Sequence, residues 1–157
     1  MRLIDADSGM KLEGAIEKVT TMELIGLTND SNFVFDWSLE INNEVYKIVL
    51  LPSGKLLGLI SLIDYPRELR IHINLIESSR EFRGKDKSIL NIPGCLIGFA
   101  CKHAFKSGYE GFVSLIPKTQ LIEYYRKNYG FISYGKQMAV FEEIAESLIL
   151  KYFDDEV

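Results

Sequence analysis

The chain has 157 residues, of which 47% are hydrophobic and 25% are charged, and its formal net charge at pH 7 is −4. This length and composition predict one globular domain over residues 1–157, with a single substantial core. The negative charge argues against general binding of nucleic acid or anionic membrane, and no apolar run reaches the roughly 18–20 residues that a membrane span needs.

The first forty residues give two predictions. Residues Met10–Val19 carry apolar side chains at helical spacing, but two threonines interrupt the pattern, so a helix and a strand are both open. The sequence SNFVFDWSLE, at Ser31–Glu40, alternates large apolar residues on one side, which predicts a strand.

An antiparallel meander follows. Two β-rich runs, Val45–Leu51 and Lys55–Ile63, flank the turn sequence Pro-Ser-Gly and are expected to form a hairpin. A second turn at Asp64–Arg67 leads into a strand at Leu69–Glu77, whose apolar residues recur with period two. One face of this strand is predicted to carry four of them: Leu69, Ile71, Ile73 and Leu75.

The second half of the chain predicts a strand–helix–strand unit. An apolar helix is expected over Gly94–Lys106, stopped by Gly108. A short buried strand at Gly111–Pro117 comes next, and then a helix at Thr119–Tyr129, capped by its own first residue and ended by Gly130. Together with the meander, this unit predicts a mixed α/β sheet.

The C-terminal residues are expected to close the fold. Segments Phe131–Tyr134 and Gln137–Glu142 are predicted to form a hairpin, and Glu142–Phe153 an amphipathic helix. The helix is predicted to turn four side chains inward: Ile144, Leu148, Ile149 and Tyr152. The acidic residues 154–156 are predicted to form a short solvated tail.

The start of the apolar helix is the place where the sequence first indicates a ligand. A helix N-terminus presents unpaired N–H groups and a partial positive charge, which together favour an anion. The basic segment Arg80–Ser88, REFRGKDKS, lies just before it. The alternatives are an ordinary helix start next to Pro93 and a solvated loop.

Four segments follow one another along the chain: YKIVLLPSGKLLGLISL, INLIES, GKDKSILNIPGCLIGFAC and GYEGFVSLIPKTQLIEYYRKNYGF. In this order they resemble the GNAT superfamily of acyl-CoA-dependent N-acyltransferases, in particular a poorly characterised bacterial branch. The resemblance covers roughly Glu44 to the C-terminus. It implies an α/β fold with a mixed, mostly antiparallel central sheet and helices on both faces. It also implies a splayed strand pair, in which the strand ending near Glu77 parts from Gly111–Pro117.

The resemblance implies acetyl-CoA, or another acyl-CoA, as co-substrate. Its pantetheine arm would lie between the splayed strands, and its diphosphate on the loop that opens the central helix. The usual glycine pattern of that loop can be placed in two registers, Glu81–Asp86 and Asn91–Cys95, each of which keeps only one of its glycines. We prefer the second because it adjoins the helix. The cofactor-binding residues implied are Ile76, Ser78, Asn91, Ile92, Gly94, Cys95 and Lys118.

The resemblance also implies the catalytic groups. Glu77 is expected to be the base for the amine, directly or through a water, and backbone N–H groups around Ile76 and Ser78 would polarise the thioester carbonyl. Tyr125 is expected to protonate the thiolate, although its motif is one residue longer than usual and also fits Tyr124. The alternatives are an ordinary strand-end carboxylate for Glu77 and simple packing for the tyrosines.

These observations predict an acyl-CoA-dependent N-acyltransferase that transfers an acetyl group to an amine by direct attack in a ternary complex. The alternative is a catalytically degenerate GNAT-fold module that binds a protein partner. No metal site is expected, because His72 and His103 lie on different elements and the two cysteines match no zinc pattern.

The location and partners follow from composition. Early acidic residues replace the apolar part of a signal peptide and the thiols are expected to be free, so we expect a cytoplasmic protein. Its expected partner is an amine acceptor, and no association with a membrane is expected. For the oligomeric state, a homodimer and a monomer are both open. Nucleic-acid binding through Arg80–Lys87 is disfavoured, because Glu81 and Asp86 partly neutralise the basic residues.

Overall fold

A seven-stranded sheet is the frame of the protein in the computed structural model, which describes residues 1–153. The predicted acidic tail at residues 154–156 lies outside the described residues. The strands are β1 Leu3–Asp5, β2 Lys11–Leu12, β3 Gly14–Lys18, β4 Glu44–Leu50, β5 Lys55–Tyr65, β6 Arg70–Ser78, β7 Ile89–Leu90, β8 Val113–Leu115, β9 Ile132–Tyr134 and β10 Gln137–Val140. The helices are α1 Thr21–Gly26, α2 Ile92–Lys106, α3 Ile122–Tyr129 and α4 Glu142–Phe153.

The large sheet has the order β3-β4-β5-β6-β8-β10-β9, and a small sheet has the order β2-β1-β7. Among the described strands, β6 and β8 are the one parallel pair, and every other pair is antiparallel. The parallel pair is joined through α2, as a strand–helix–strand crossover requires. The predicted mixed, mostly antiparallel α/β sheet is therefore confirmed.

Two hydrophobic clusters cover opposite faces of the sheet. The larger contains the apolar side of α2 and α4 together with Ile71 and Ile73 of β6. The smaller contains Leu24 of α1, with Trp37 and Leu59. Helical elements on both faces are thus present, as the resemblance implied.

An irregularity in β6 changes which side chains share a face. The register with β5 shifts between the pairs Ser61↔Leu75 and Leu62↔Ile73, so Asn74 is an extra residue. Ile73 and Ile76 consequently pack against the larger cluster, whereas Leu75 packs against the smaller one. The predicted common face holds for Ile71 and Ile73 but is wrong for Leu75, and also for Leu69, which lies outside the strand with a φ of 52°.

The N-terminal segments resolve one alternative and correct one prediction. Within residues 10–19, Lys11–Leu12 and Gly14–Lys18 form β2 and β3, which settles the choice between helix and strand. The strand predicted over Ser31–Glu40 is wrong: the segment is irregular and ends in a 3₁₀ helix, Trp37–Glu40. The Asp36 side chain accepts the Ser38 N–H at 3.1 Å and starts this turn, and tertiary contacts take up the amides before it.

Two details of the C-terminal helices also differ from prediction. Thr119 does not cap α3, because a 3₁₀ turn over Thr119–Leu121 precedes that helix. In α4, Ile144 is 45% exposed, and Ala145 takes the inward position instead. The predicted hairpin of β9 and β10 is present, and Gly130 ends α3 in the left-handed conformation.

Helix α2 begins under a side chain of α4. Asn91, the residue before its first turn, has a φ of 75°, and Gly94 is buried against the Tyr152 ring. A Cβ at position 94 would overlap that ring. Tyr152 is itself buried, so it cannot swing aside without leaving a cavity.

We therefore expect Gly94→Ala to lower the free energy of unfolding by about 2 kcal/mol, because the buried ring must shift to admit the methyl group. The matched control is Gly26→Ala at the end of α1, where an added Cβ meets nothing within 4 Å. The control should be neutral or stabilising by about 0.5–1 kcal/mol. Urea unfolding measures both, and equal effects of the two substitutions would contradict this packing role.

Candidate active site

Strands β6 and β8 separate after three residue pairs. The pairs Ile71↔Val113, His72↔Ser114 and Ile73↔Leu115 form the parallel ladder. Beyond them β6 runs on to Ser78 with β5 on its other side, whereas β8 ends at Leu115. The predicted splay is therefore present, as a wedge-shaped gap that opens toward the end of β6.

The edge of β6 that faces this gap carries peptide groups without a strand partner. The Ser79 N–H donates to the Leu57 carbonyl beside β5 at 2.9 Å. Since peptide groups alternate in direction along a strand, those of Ile76 and Ser78 point away from β5. The N–H groups that sequence reasoning assigned to the thioester carbonyl thus face the gap.

The gap consists of two connected pockets. The front pocket, with a volume of about 220 Å³, is lined by Phe35, Asn74, Leu75, Ile116 and Lys118 among others. The rear pocket is lined by Ser78, Arg83, Pro93, Ile97 and Tyr124 among others. Three residues line both pockets and so mark their junction: Ile76, Leu121 and Tyr125.

Tyr125 is the ionisable side chain at the junction. Its ring packs edge-on against Phe131 and against Tyr124. Burial raises the pKa of Tyr125 above its ordinary value of 10.0, and the neighbouring Tyr124 acts in the same direction. The hydroxyl is therefore protonated throughout the neutral pH range. The Tyr124 hydroxyl lies 3.2 Å from that of Tyr129, whose pKa burial also raises.

Glu77 has four hydrogen-bond donors. Its Oε1 accepts from the Trp37 indole at 3.0 Å and from the Phe35 amide at 3.3 Å. Its Oε2 accepts from the Val34 amide at 2.6 Å and from the Arg83 guanidinium at 3.3 Å. The residue is 7% exposed, so this carboxylate is buried and fully hydrogen-bonded.

The Glu77 carboxylate also determines the front wall of the gap. By accepting two consecutive amides, it holds the segment Phe33–Trp37 against β6, and this places Phe35 in the front pocket. The same carboxylate holds Arg83 in the rear pocket. One charge therefore connects the segments that border the two pockets.

The residues predicted to hold the cofactor fall into two groups. Ile76 and Ser78 line the rear pocket, while Lys118 lies in the front pocket with its Nζ 5.4 Å from the Phe35 ring centroid. The others sit at the start of α2, where Asn91 donates its side-chain amide to the Arg2 carbonyl at 3.1 Å. Three of them are buried in the core rather than in the gap: Ile92, Gly94 and Cys95.

Helix α2 lines the rear pocket through Pro93 and Ile97, not through the predicted glycine. Proline has no N–H, so the side of the first turn that faces the pocket offers one donor fewer than usual. Arg83, from the alternative register Glu81–Asp86, also lines the rear pocket. Sequence reasoning noted its basic segment but not its position in the cleft.

No histidine or cysteine among residues 1–153 lines either pocket of the gap. His72 shares a hydrogen bond with Ser114 at 2.9 Å, and burial lowers its pKa. Burial raises the pKa of the Cys101 thiol to about 12. Within residues 1–153, no cluster of three or more His, Cys, Asp or Glu side chains is placed to hold a metal ion.

No model of a known protein family matches the sequence, and no curated protein matches it. Solved structures match its fold. A spermidine N-acetyltransferase chimera from Vibrio cholerae gives a TM-score of 0.60 at 14% identity, covering 87% of this chain and 98% of its own. An acyl-CoA N-acyltransferase from Pseudomonas aeruginosa gives a TM-score of 0.57 at 20% identity, and the match covers 82% of this chain and 99% of the other. A Bacillus anthracis protein called a streptothricin acetyltransferase was solved with acetyl coenzyme A. It gives a TM-score of 0.57 at 14% identity, and the match covers 83% of this chain and 96% of the other.

The chain has the GNAT fold. The splayed pair of β6 and β8, implied by the resemblance, is the part of this GNAT fold that creates the gap. None of the helices in the described part of the chain combines the length and the apolar content that crossing a membrane demands.

The hydrogen bonds of Glu77 lead to a stability prediction. In Glu77→Gln, the side-chain amide N–H₂ would face two donors, so two hydrogen bonds are lost at a buried position. We expect the free energy of unfolding to fall by about 2–3 kcal/mol. Amide hydrogen exchange at Val34 and Phe35 should accelerate in parallel, because their acceptor is weakened.

The matched control is Glu81→Gln, which changes a carboxylate that is half exposed and paired with Lys55 on the surface. Its effect on stability should stay within about 0.5 kcal/mol. If exchange at Val34 and Phe35 is the same in Glu77→Gln as in the control, Glu77 does not anchor the segment.

Proposed function

We propose that the protein is an acyl-CoA-dependent N-acyltransferase that transfers an acetyl group from acetyl-CoA to an amine by direct attack in a ternary complex. The gap between β6 and β8, with free peptide groups on its β6 edge, is the observation that carries this proposal. The names of the GNAT-fold structures support it, because two are acetyltransferases, one of them solved with acetyl coenzyme A, and a third is an acyl-CoA N-acyltransferase.

The gap suits a pantetheine arm, which carries two amide groups along an extended chain. Such a chain can bind the free edge of β6 in the manner of an added strand. In this proposal it enters through the rear pocket, where Arg83 is the cation available to a phosphate. The first turn of α2 is the weaker contact for the diphosphate, because Pro93 has no N–H and Ile92 and Gly94 are buried outside the lining of the rear pocket.

The chemistry then takes place at the junction of the two pockets. The amine nitrogen attacks the thioester carbonyl carbon, forming a C–N bond, and the N–H group of Ile76 at the junction stabilises the oxyanion. The Ser78 N–H lies two residues further along the strand, roughly 6–7 Å away, and is left for a carbonyl of the pantetheine arm. As the C–S bond breaks, the thiolate takes the hydroxyl proton of Tyr125. The amine gives up its proton to Glu77 or, through a water, to solvent.

Glu77 has two candidate roles: a general base, or an anchor that holds the segment Phe33–Trp37 in place. Its four hydrogen-bond donors favour the second role. Each of its oxygens already accepts two hydrogen bonds, so accepting a proton would cost at least one of them. The two roles differ in kinetics. Loss of a base in Glu77→Gln removes the acidic limb of the pH–rate profile, whereas loss of an anchor keeps that limb and raises KM for the acceptor.

Binding of acetyl-CoA is the first test. At about 100 times its dissociation constant, the ligand should stabilise the protein by about 2.7 kcal/mol, which is measurable as a thermal shift. Arg83→Gln should weaken acetyl-CoA about tenfold and leave S-acetyl-pantetheine, which lacks the diphosphate, unaffected. The absence of a shift at millimolar acetyl-CoA would remove the proposed co-substrate.

Tyr125 is the second test. We expect Tyr125→Phe to lower kcat about 100-fold, because the thiolate loses its proton donor. The rate of the unmodified enzyme should fall only above pH 10, since the pKa of Tyr125 is raised and ionisation removes the proton. Tyr124→Phe, the control next to it, should change kcat less than threefold. Equal losses in the two variants would contradict the assignment.

The alternative, a catalytically degenerate module that binds a protein partner, has one observation in its favour. The first turn of α2 is short of phosphate donors, because Pro93 has no N–H and Gly94 lies beneath Tyr152. The two functions separate in one assay of coenzyme A release with a panel of amines. Binding of acetyl-CoA without release, unchanged by Glu77→Gln, would favour the module.

A further inference from the structure

The front pocket carries little charge, and that charge is positive. Of the described side chains that line it, Lys118 and Tyr125 are the ionisable ones, and none is a carboxylate. The remaining walls are mainly apolar, from Phe35, Leu75 and Ile116 among others. Glu40 lies outside the lining, where its carboxylate accepts the Asn74 side-chain amide at 2.7 Å.

Among residues 1–153, no carboxylate lies within ion-pair distance of the Lys118 ammonium group. None of the ion pairs among residues 1–153 includes Lys118, which is exposed and stands 5.4 Å from the Phe35 ring centroid. An exposed cation beside an aromatic wall suits a ligand that has an anionic end and an apolar body. A polyamine would instead bring further positive charge to this cation, with no carboxylate in the lining to offset it.

We propose that the acceptor is an amino acid with an apolar side chain, which donates its amine to the acyl group. This inference rests on the proposed acyltransferase function. The acceptor's carboxylate pairs with Lys118, its apolar side chain packs against Phe35 and the apolar wall, and its amine points to the junction at Ile76 and Tyr125. The reaction is the amide-forming transfer described above, with the carboxylate unchanged.

In this assignment Lys118 contacts the carboxylate of the acceptor, whereas the resemblance predicts that it contacts pantetheine. The two roles make different kinetic predictions. A lysine that binds the acceptor carboxylate affects KM for that acceptor alone, and a lysine that binds pantetheine affects KM for acetyl-CoA with every acceptor.

The experiment compares matched acceptors at saturating acetyl-CoA by the release of coenzyme A. Leucine is paired with isoamylamine and phenylalanine with phenethylamine, so that each pair differs only in the carboxylate, and spermidine represents the polyamines. We expect kcat/KM to be at least tenfold higher for each amino acid than for its matched amine, with spermidine lowest. A preference for spermidine or for the carboxylate-free amines overturns the inference and leaves the proposed function intact.

The variant is Lys118→Met, which keeps an unbranched side chain one atom shorter and removes its charge. We expect KM for leucine to rise about tenfold, while kcat/KM for isoamylamine and KM for acetyl-CoA stay within twofold. Lys127→Met, an exposed position on α3, controls for the change in net charge and should alter none of these values. A rise in KM for acetyl-CoA instead overturns the inference by returning Lys118 to the co-substrate.

Failure of the proposed function looks different. If acetyl-CoA binds and no amine releases coenzyme A, there is no acyltransferase reaction, and the inference falls with it. If transfer occurs with the carboxylate-free amines alone, only the acceptor class is wrong.

Discussion

One extra residue in β6, Asn74, is the constraint on which the rest of the site depends. The register shift there puts Ile73 and Ile76 on one face of the sheet, with Leu75 on the other. The pairing of β6 with β8 stops at Ile73, next to the extra residue. In a regular strand, alternation from Ile71 and Ile73 would have turned Glu77 toward the larger core, where a charge is costly.

With the shift in place, Glu77 faces the segment before the 3₁₀ helix at Trp37–Glu40. The carboxylate meets its hydrogen-bonding requirement with donors that lie 40 to 43 residues earlier in the chain and with Arg83, six residues later. A buried charge with four donors is stable, whereas removal of any one donor leaves a less well-solvated anion. Accurate placement of Phe35 in the front pocket is therefore a consequence of burying Glu77.

The sequence predicted the regular elements well, because their signals are local. Turn residues marked the hairpins, and glycines marked the ends of α2 and α3. The segment Ser31–Glu40 was misread because the partner of its amides, Glu77, is distant in sequence and leaves no local signature. The shift at Asn74 was missed for a similar reason, since Leu75 fits the alternating pattern and only the pairing with β5 reveals the extra residue.

The residues of the candidate site divide in the same way, into those that a motif indicates and those whose position depends on contacts between distant parts of the chain. The resemblance supplied Glu77 and Tyr125, and both lie at the gap. It also supplied Gly94, which lies beneath Tyr152, a contact between α2 and α4 that no motif encodes. Arg83 lay within a basic segment whose other residues gave no reason to single it out, and its position became evident only with Glu77 beside it.

The position of Arg83 connects the two pockets energetically. A phosphate bound by the remaining N–H groups of the guanidinium would share its positive charge with Glu77 Oε2, which lies 3.3 Å from one terminal nitrogen. The Val34 amide, which donates to the same oxygen at 2.6 Å, would then compensate more of the carboxylate charge. Binding in the rear pocket is therefore expected to alter how firmly the front wall is held. Because linkage is reciprocal, a ligand in the front pocket would alter affinity in the rear pocket by the same factor, since the wall of the one and the cation of the other share the Glu77 carboxylate.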